Sequence, residues 1–170
     1  QTFFNILGPM INPSSPRYQV LGVNNEVVFN HYREVYKTLD LSYIIINSND
    51  GYDEISLTDD TRFAANELEG FYRPSAFNFT KINPQELYGG NSIEEAAKIF
   101  MNILNGEGTG DQASVVLANA AVGLNLVYPD KELTECVEIA RESLISGKAL
   151  GKLKSVTSIK NKPQYIRLDK

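Results

Sequence analysis

Apolar residues along this chain recur in two rhythms, and the change from one to the other marks its elements. Tyr18-Gln19-Val20-Leu21-Gly22-Val23 is a short apolar run closed by Asn24-Asn25, which predicts a buried strand. Over residues 26–39, Val27, Val28, Tyr32, Val35, Tyr36 and Leu39 fall at helical spacing, with Asn25 placed to cap the first turn. Residues 41–46 are apolar without alternation, as in a strand covered on both faces. Strand, helix and strand in this order open a βαβ unit, so a parallel sheet is expected. Residues 56–88 are more irregular. They predict short, mostly antiparallel strands at Thr61–Ala65 and 75–79, separated by Asp59-Asp60, Gly70 and Pro74. Pro84 opens a one-turn helix stopped by Gly89-Gly90, and Ser92-Ile93-Glu94-Glu95 has the form of a capping box. Helices are then expected over 92–105, 112–127, 131–146 and 149–156, punctuated by Gly106, Pro129 and Gly147. The sum is an α/β fold: a mostly parallel sheet flanked by helices, with a helical C-terminal half and a loosely held tail over 161–170.

Composition narrows the function. A hydrophobic share of 42% with 22% charged residues is that of a globular protein with a real core, and no apolar run nears the ~20 residues of a membrane span. No membrane partner is expected. The net charge of −5 is not offset by a clustered basic face, which argues against a nucleic-acid partner. Cys136 stands alone and makes no internal disulfide; without signal-peptide features, a cytoplasmic location is expected. The sequence begins with Gln1 rather than Met and is expected to be a fragment or a processed product.

Asp53 and Glu54 are the leading chemical candidates. They follow a strand and a glycine turn, at the edge of the sheet where open α/β folds bind ligands. Magnesium takes one or two carboxylates together with substrate phosphate oxygens and water, so the pair fits that ion once a phosphate supplies the rest. The plainer reading is a solvated acidic turn, to which Asp50 adds negative potential. Gly8-Pro9 and Asn12-Pro13 interrupt an apolar run and, taken alone, mark turns. Gly106-Glu107-Gly108-Thr109-Gly110-Asp111 invites comparison with a phosphate loop, but it joins two predicted helices, whereas that loop needs a strand before it. His31, the single histidine, falls within a helix without a nucleophile beside it, and Cys136 falls among Leu133, Val137 and Ile139 as a core residue.

The segments Phe3-Phe4-Asn5-Ile6-Leu7-Gly8-Pro9-Met10-Ile11-Asn12-Pro13, Gly22-Val23, Gly51-Tyr52-Asp53-Glu54-Ile55-Ser56, Gly89-Gly90, Asn119-Ala120-Ala121 and Ala149-Leu150-Gly151-Lys152-Leu153 occur together and in this order. In this the chain resembles the carboxyl part of the anthranilate phosphoribosyltransferase family over residues 2–156. The resemblance implies a partial catalytic domain of the phosphoribosyltransferase and nucleoside-phosphorylase type over residues 1–160, followed by the tail. It implies transfer of a phosphoribosyl group from phosphoribosyl pyrophosphate to anthranilate, in tryptophan biosynthesis, with release of pyrophosphate. Gly8 and Pro9 would line the anthranilate pocket, with Phe3 and Phe4 as candidate walls, and Asp53 and Glu54 would hold Mg2+. Asn119-Ala120-Ala121 would be a packing element of small residues. The amino-terminal half of the family, with its phosphate-cradling glycine-rich loop and its dimer contact, is missing, so this portion alone is expected to be inactive and the parent a homodimer. The alternatives are a pyrimidine-nucleoside phosphorylase of the same superfamily and a non-catalytic binding or regulatory relative.

Overall fold

The computed structural model describes residues 7–158. In chain order these form β1 (Tyr18–Gly22), α1 (Glu26–Tyr36), β2 (Ser42–Ser48), β3 (Thr61–Ala65), β4 (Glu69–Tyr72), short 3-10 turns at Pro74–Phe77 and Pro84–Leu87, α2 (Ile93–Leu104), α3 (Gly110–Val127), α4 (Leu133–Ile145) and α5 (Lys148–Thr157). Phe3, Phe4, the tail over 161–170 and the boundary at residue 160 lie outside the described residues.

The strands form one sheet in the order β1-β2-β3-β4, with β1 at one edge. β1 and β2 run parallel, Leu21 opposite Ile45, and are joined by α1. The other two pairings are antiparallel. The α/β class therefore holds, but the sheet is mixed rather than mostly parallel. For β3 and β4 connection length is the reason. A parallel return needs a crossover of about a dozen residues or more, usually a helix, and only Asn66, Glu67 and Leu68 separate β3 from β4. Ala65 donates its N–H to the Leu68 carbonyl at 2.7 Å and closes that hairpin.

β2 is the spine of the core. Its side chains alternate in direction, so Ile44 and Ile46 join Ile55, Leu57 and Phe77 beneath Leu117, Ala121 and Val122 of α3 and Val137 of α4. Tyr43 and Ile45 point the other way, to Leu21 and to Phe29, Tyr32 and Tyr36 of α1. The unbroken apolar run of β2 is thus explained by helices on both faces. Asn25 caps α1 as the sequence implies, its Oδ1 accepting the Val28 N–H at 2.9 Å.

The strand expected over 75–79 is instead a 3-10 turn: Pro74 occupies its first position and Asn78 ends it with a φ of 61°. The last strand comes earlier and contains Gly70, which pairs with Phe63. A Cβ at Gly70 would stand 3.1 Å from the Phe63 ring, so the glycine is a strand residue that makes room for an aromatic neighbour rather than a break. At the start of α2, Ser92 accepts the Glu95 N–H at 3.1 Å, while the Glu95 carboxylate reaches past the cap to the Asn91 N–H at 2.9 Å. On the outer strand, Tyr18 and Val20 are 46% and 45% exposed.

Candidate functional site

The chain leaves β2 through a tight turn. Gly51 donates its N–H to the Ser48 carbonyl at 3.0 Å, and the Ser48 N–H reaches the Tyr52 carbonyl at 2.9 Å. Gly51 has a φ of 91°, the left-handed region that a side chain disfavours. Asp53 and Glu54 follow at once, exposed at the carboxyl ends of β1 and β2. Their backbone is pressed onto β1: a Cβ at Gly22 would lie 1.7 Å from the Asp53 carbonyl oxygen. Just beyond, the Val23 N–H bonds the Ile46 carbonyl at 2.9 Å and Asn47 Nδ2 donates to the Val23 carbonyl at 2.7 Å.

Glu54 is pushed above its ordinary value, first by partial desolvation and then by the adjacent Asp53 charge. Arg62 pairs with Glu26, Arg73 with Asp60 and Lys81 with Asp59, and no ion pair among the described residues involves Asp53 or Glu54. Two neighbouring hard-oxygen donors carrying uncompensated charge suit Mg2+. Among the described residues no group of three or more His, Cys, Asp or Glu side chains could hold a metal by itself, so any further ligands would have to come from outside these side chains.

Asp50 has a different task from the one its sequence position suggests. Its carboxylate accepts from Ser48 Oγ at 2.6 Å and from Thr58 Oγ1, and Ser56 Oγ lies 3.1 Å from Ser48 Oγ. These hydroxyls are buried, at 2%, 3% and 1% exposure for Ser48, Thr58 and Ser56. Desolvation pushes the Asp50 carboxyl up, but hydrogen bonds from Ser48, Thr58, its own backbone and Ser56 outweigh it and hold the group below the usual carboxylate value. Between Ser56 and Thr58, Leu57 is buried with a φ of 59°, a strained conformation for a bulky residue that the surrounding bonds sustain.

A depressed folded-state value stabilises the fold above the ordinary carboxylate range, and that contribution is lost as the pH falls through the folded-state value. Asp50→Asn is therefore expected to lower stability at pH 7 by about 1 kcal/mol, less than for a buried charge because Asp50 is exposed. Thermal unfolding of the two forms should converge as the pH falls below about 4.

A second tether comes from α3. Asn119 Oδ1 accepts the Ile55 N–H at 3.0 Å, and its Nδ2 donates to the Ile55 carbonyl at 2.8 Å and to the Val115 carbonyl at 2.9 Å. Of the expected packing element only Ala121 is fully buried, whereas Ala120 is exposed and the buried small neighbour on the other side is Ala118; the sequence reading also missed Asn119 as a holder of the acidic turn. The available signal was a carboxamide in an apolar helix, which must find partners.

The Gly8-Pro9 segment lies at the other end of the same strand. Gln19 Nε2 donates to the Pro9 carbonyl at 3.1 Å, and Gln19 Oε1 accepts the Tyr36 hydroxyl at 2.6 Å. Burial of Tyr36, with Tyr32 beside it, pushes that hydroxyl up to about 12, so it remains a donor. A cleft of about 540 Å3 lined by Pro9, Asn12, Gln19, Gly22 and Tyr32 runs along β1. Gln19 and Gly22 are about 10 Å apart along a strand, so the proline loop and the β1 glycine that abuts the Asp53 backbone line one cleft. Gly8 is exposed within the turn that precedes Pro9.

His31 is exposed on α1. Cys136 is fully buried and burial pushes its thiol up. The glycine-rich segment after α2 leads into α3, where Thr109 and Gln112 form a reciprocal capping box.

Residues 1–150 match the family model described as "Glycosyl transferase family, a/b domain". The chain is 45% identical over 159 residues to the anthranilate phosphoribosyltransferase of Phocaeicola vulgatus, covering 94% of this chain and 48% of that protein. It is 43% identical over 162 residues to that of Bacteroides thetaiotaomicron, covering 95% and 49%. It thus spans about half the length of the curated relatives it matches. Among solved structures, anthranilate phosphoribosyltransferase from Thermus thermophilus superposes with a TM-score of 0.78 at 28% identity, over 91% of this chain and 46% of that one. The Saccharomyces cerevisiae enzyme in complex with PRPP and Mg superposes with a TM-score of 0.80 at 24% identity, over 91% and 44%.

Proposed function

The chain belongs to the glycosyl transferase family, a/b domain, and from that premise we propose that it is the carboxyl portion of an anthranilate phosphoribosyltransferase. The observation that carries this reading is a cleft along β1, with Pro9 at one end and, at the other, Gly22 against the backbone of Asp53. Identity of 45% over 94% of the chain to a curated relative of that name supports it.

In the proposed reaction the amine of anthranilate forms a bond to C1 of the ribose while the bond from C1 to the pyrophosphate oxygen breaks, and the amine proton leaves to solvent. Asp53 and Glu54 would hold Mg2+, which when bound offsets charge on the departing pyrophosphate. Gly8 and Pro9 shape the acceptor end, and the Gln19–Tyr36 pair fixes the Pro9 carbonyl so that a weak aromatic nucleophile meets C1 in line. These residues act by placement and charge rather than by proton transfer. The other half of the whole protein supplies the phosphate-cradling loop and the contact that makes a homodimer. No helix among the described residues is long and apolar enough to cross a membrane. The proposed biosynthetic reaction is placed in the cytoplasm.

Loss of anthranilate fluorescence on addition of phosphoribosyl pyrophosphate and Mg2+ tests the proposal. The complete protein is expected to turn over and the isolated 170-residue chain to be inactive. A folded complete protein that leaves anthranilate unchanged would overturn it.

A further inference from the structure

We propose that Asn119 is a positioning residue of the cation site: from α3 it fixes the backbone of Ile55 and so sets where the carboxylates of Asp53 and Glu54 emerge. The inference rests on the functional reading above. The acidic turn lies between β2 and β3 without a strand of its own, so its backbone groups need partners from elsewhere. Asn119 supplies both for the residue after Glu54, accepting the Ile55 N–H at 3.0 Å and donating to the Ile55 carbonyl at 2.8 Å, as a neighbouring strand would. Its remaining amide hydrogen goes to the Val115 carbonyl at 2.9 Å, one helical turn back, which holds the side chain in this one orientation. The pattern uses both amide hydrogens and the carbonyl oxygen, and turning the carboxamide over would set its NH2 against the Ile55 N–H.

Three constraints then meet on this short stretch. Asp53 is stopped by β1 at Gly22, Ile55 is clamped by Asn119, and the Ile55 side chain is 1% exposed in the core. The fully buried Ala118 and Ala121 bring α3 close enough for the carboxamide to reach. A cation held by only two protein carboxylates depends on their being arranged in advance, because a loose turn would lose conformational freedom at each binding event. Residues that orient metal ligands change affinity by about 10- to 100-fold when removed.

The test uses the complete protein, with Mn2+ and inorganic pyrophosphate as the probe and electron paramagnetic resonance as the readout. Asn119→Ala and the similarly branched Asn119→Leu are both expected to weaken Mn2+–pyrophosphate binding about tenfold. Hydrogen exchange across residues 53–56 should rise in both. Agreement between the two variants separates the lost clamp from lost packing, and the leucine form serves if the alanine form does not fold. Binding within twofold of the unaltered protein, with exchange raised, would show that Asn119 serves the fold alone and would overturn the positioning role only. An unaltered protein that binds no Mn2+–pyrophosphate would overturn the functional reading as well, so the two failures are told apart.

Discussion

Replacing Asp53 by Asn and Glu54 by Gln together in the complete protein is expected to lower phosphoribosyl transfer at least a hundredfold, or about 2.7 kcal/mol of transition-state stabilisation. Both side chains are exposed and outside the ion pairs of the described residues, so neutral isosteres remove charge while leaving the packing intact. The fold should tolerate the change. Glu54 is raised above its ordinary value, which means that its charged form is disfavoured in the folded state, and Glu54→Gln relieves that opposition. Activity and stability should therefore separate, with a large loss of turnover and an unfolding temperature that is unchanged or slightly higher. The same raised value predicts that Glu54 takes up its proton above the ordinary glutamate range on acidification, so the acid limb of activity begins there. Initial rates at saturating anthranilate with Mg2+ varied are the measurement. A double variant within threefold of the unaltered enzyme would remove the pair from the cation site.

The second large effect is expected at a residue with no reactive group. Gly22→Ala sets a methyl 1.7 Å from the Asp53 carbonyl oxygen, where carbon–oxygen contacts normally exceed about 3.3 Å. The obstacle is backbone, so no side chain can swing aside. Either β1 or the acidic turn must shift by about 1.5 Å, and β1 is fastened to β2 along its whole length. The turn yields. Overpacking of this kind costs about 1–3 kcal/mol of stability, and a 1 Å misplacement of groups around a reacting centre costs about a hundredfold in rate. Transfer rates and thermal unfolding of Gly22→Ala in the complete protein measure both. Full activity in a folded variant would show that this contact does not set the position of Asp53.

How far the sequence reveals this arrangement depends on how local the determinants are. β1, α1 and β2 are legible because periodicity and the Asn25 cap are properties of neighbouring residues. The acidic pair is legible for the same reason, as it follows a strand and a glycine. The antiparallel character of β3 and β4 is legible, but their position is not: Gly70 is a strand residue that makes room for the Phe63 ring, so reading it as a break moved the last strand to 75–79. Asn119 was missed because its partner lies 64 residues away, while its immediate neighbours describe only a packed helix. Asp50 is an intermediate case: its hydroxyl partners stand within eight residues, yet spacing alone does not distinguish a carboxylate held by buried hydroxyls from a freely solvated charge.

The outer side of β1 carries a consequence for dissecting this protein. Among the described residues β1 has no strand beyond it, and Tyr18 and Val20 leave an apolar, extended edge in contact with solvent. Such an edge is a template for strand addition, and it lacks the lysine, proline or bulge that usually blocks self-association. Self-association of a piece cut to these limits is therefore expected to use β1, and charge introduced on that strand, not added stability, is the way to suppress it.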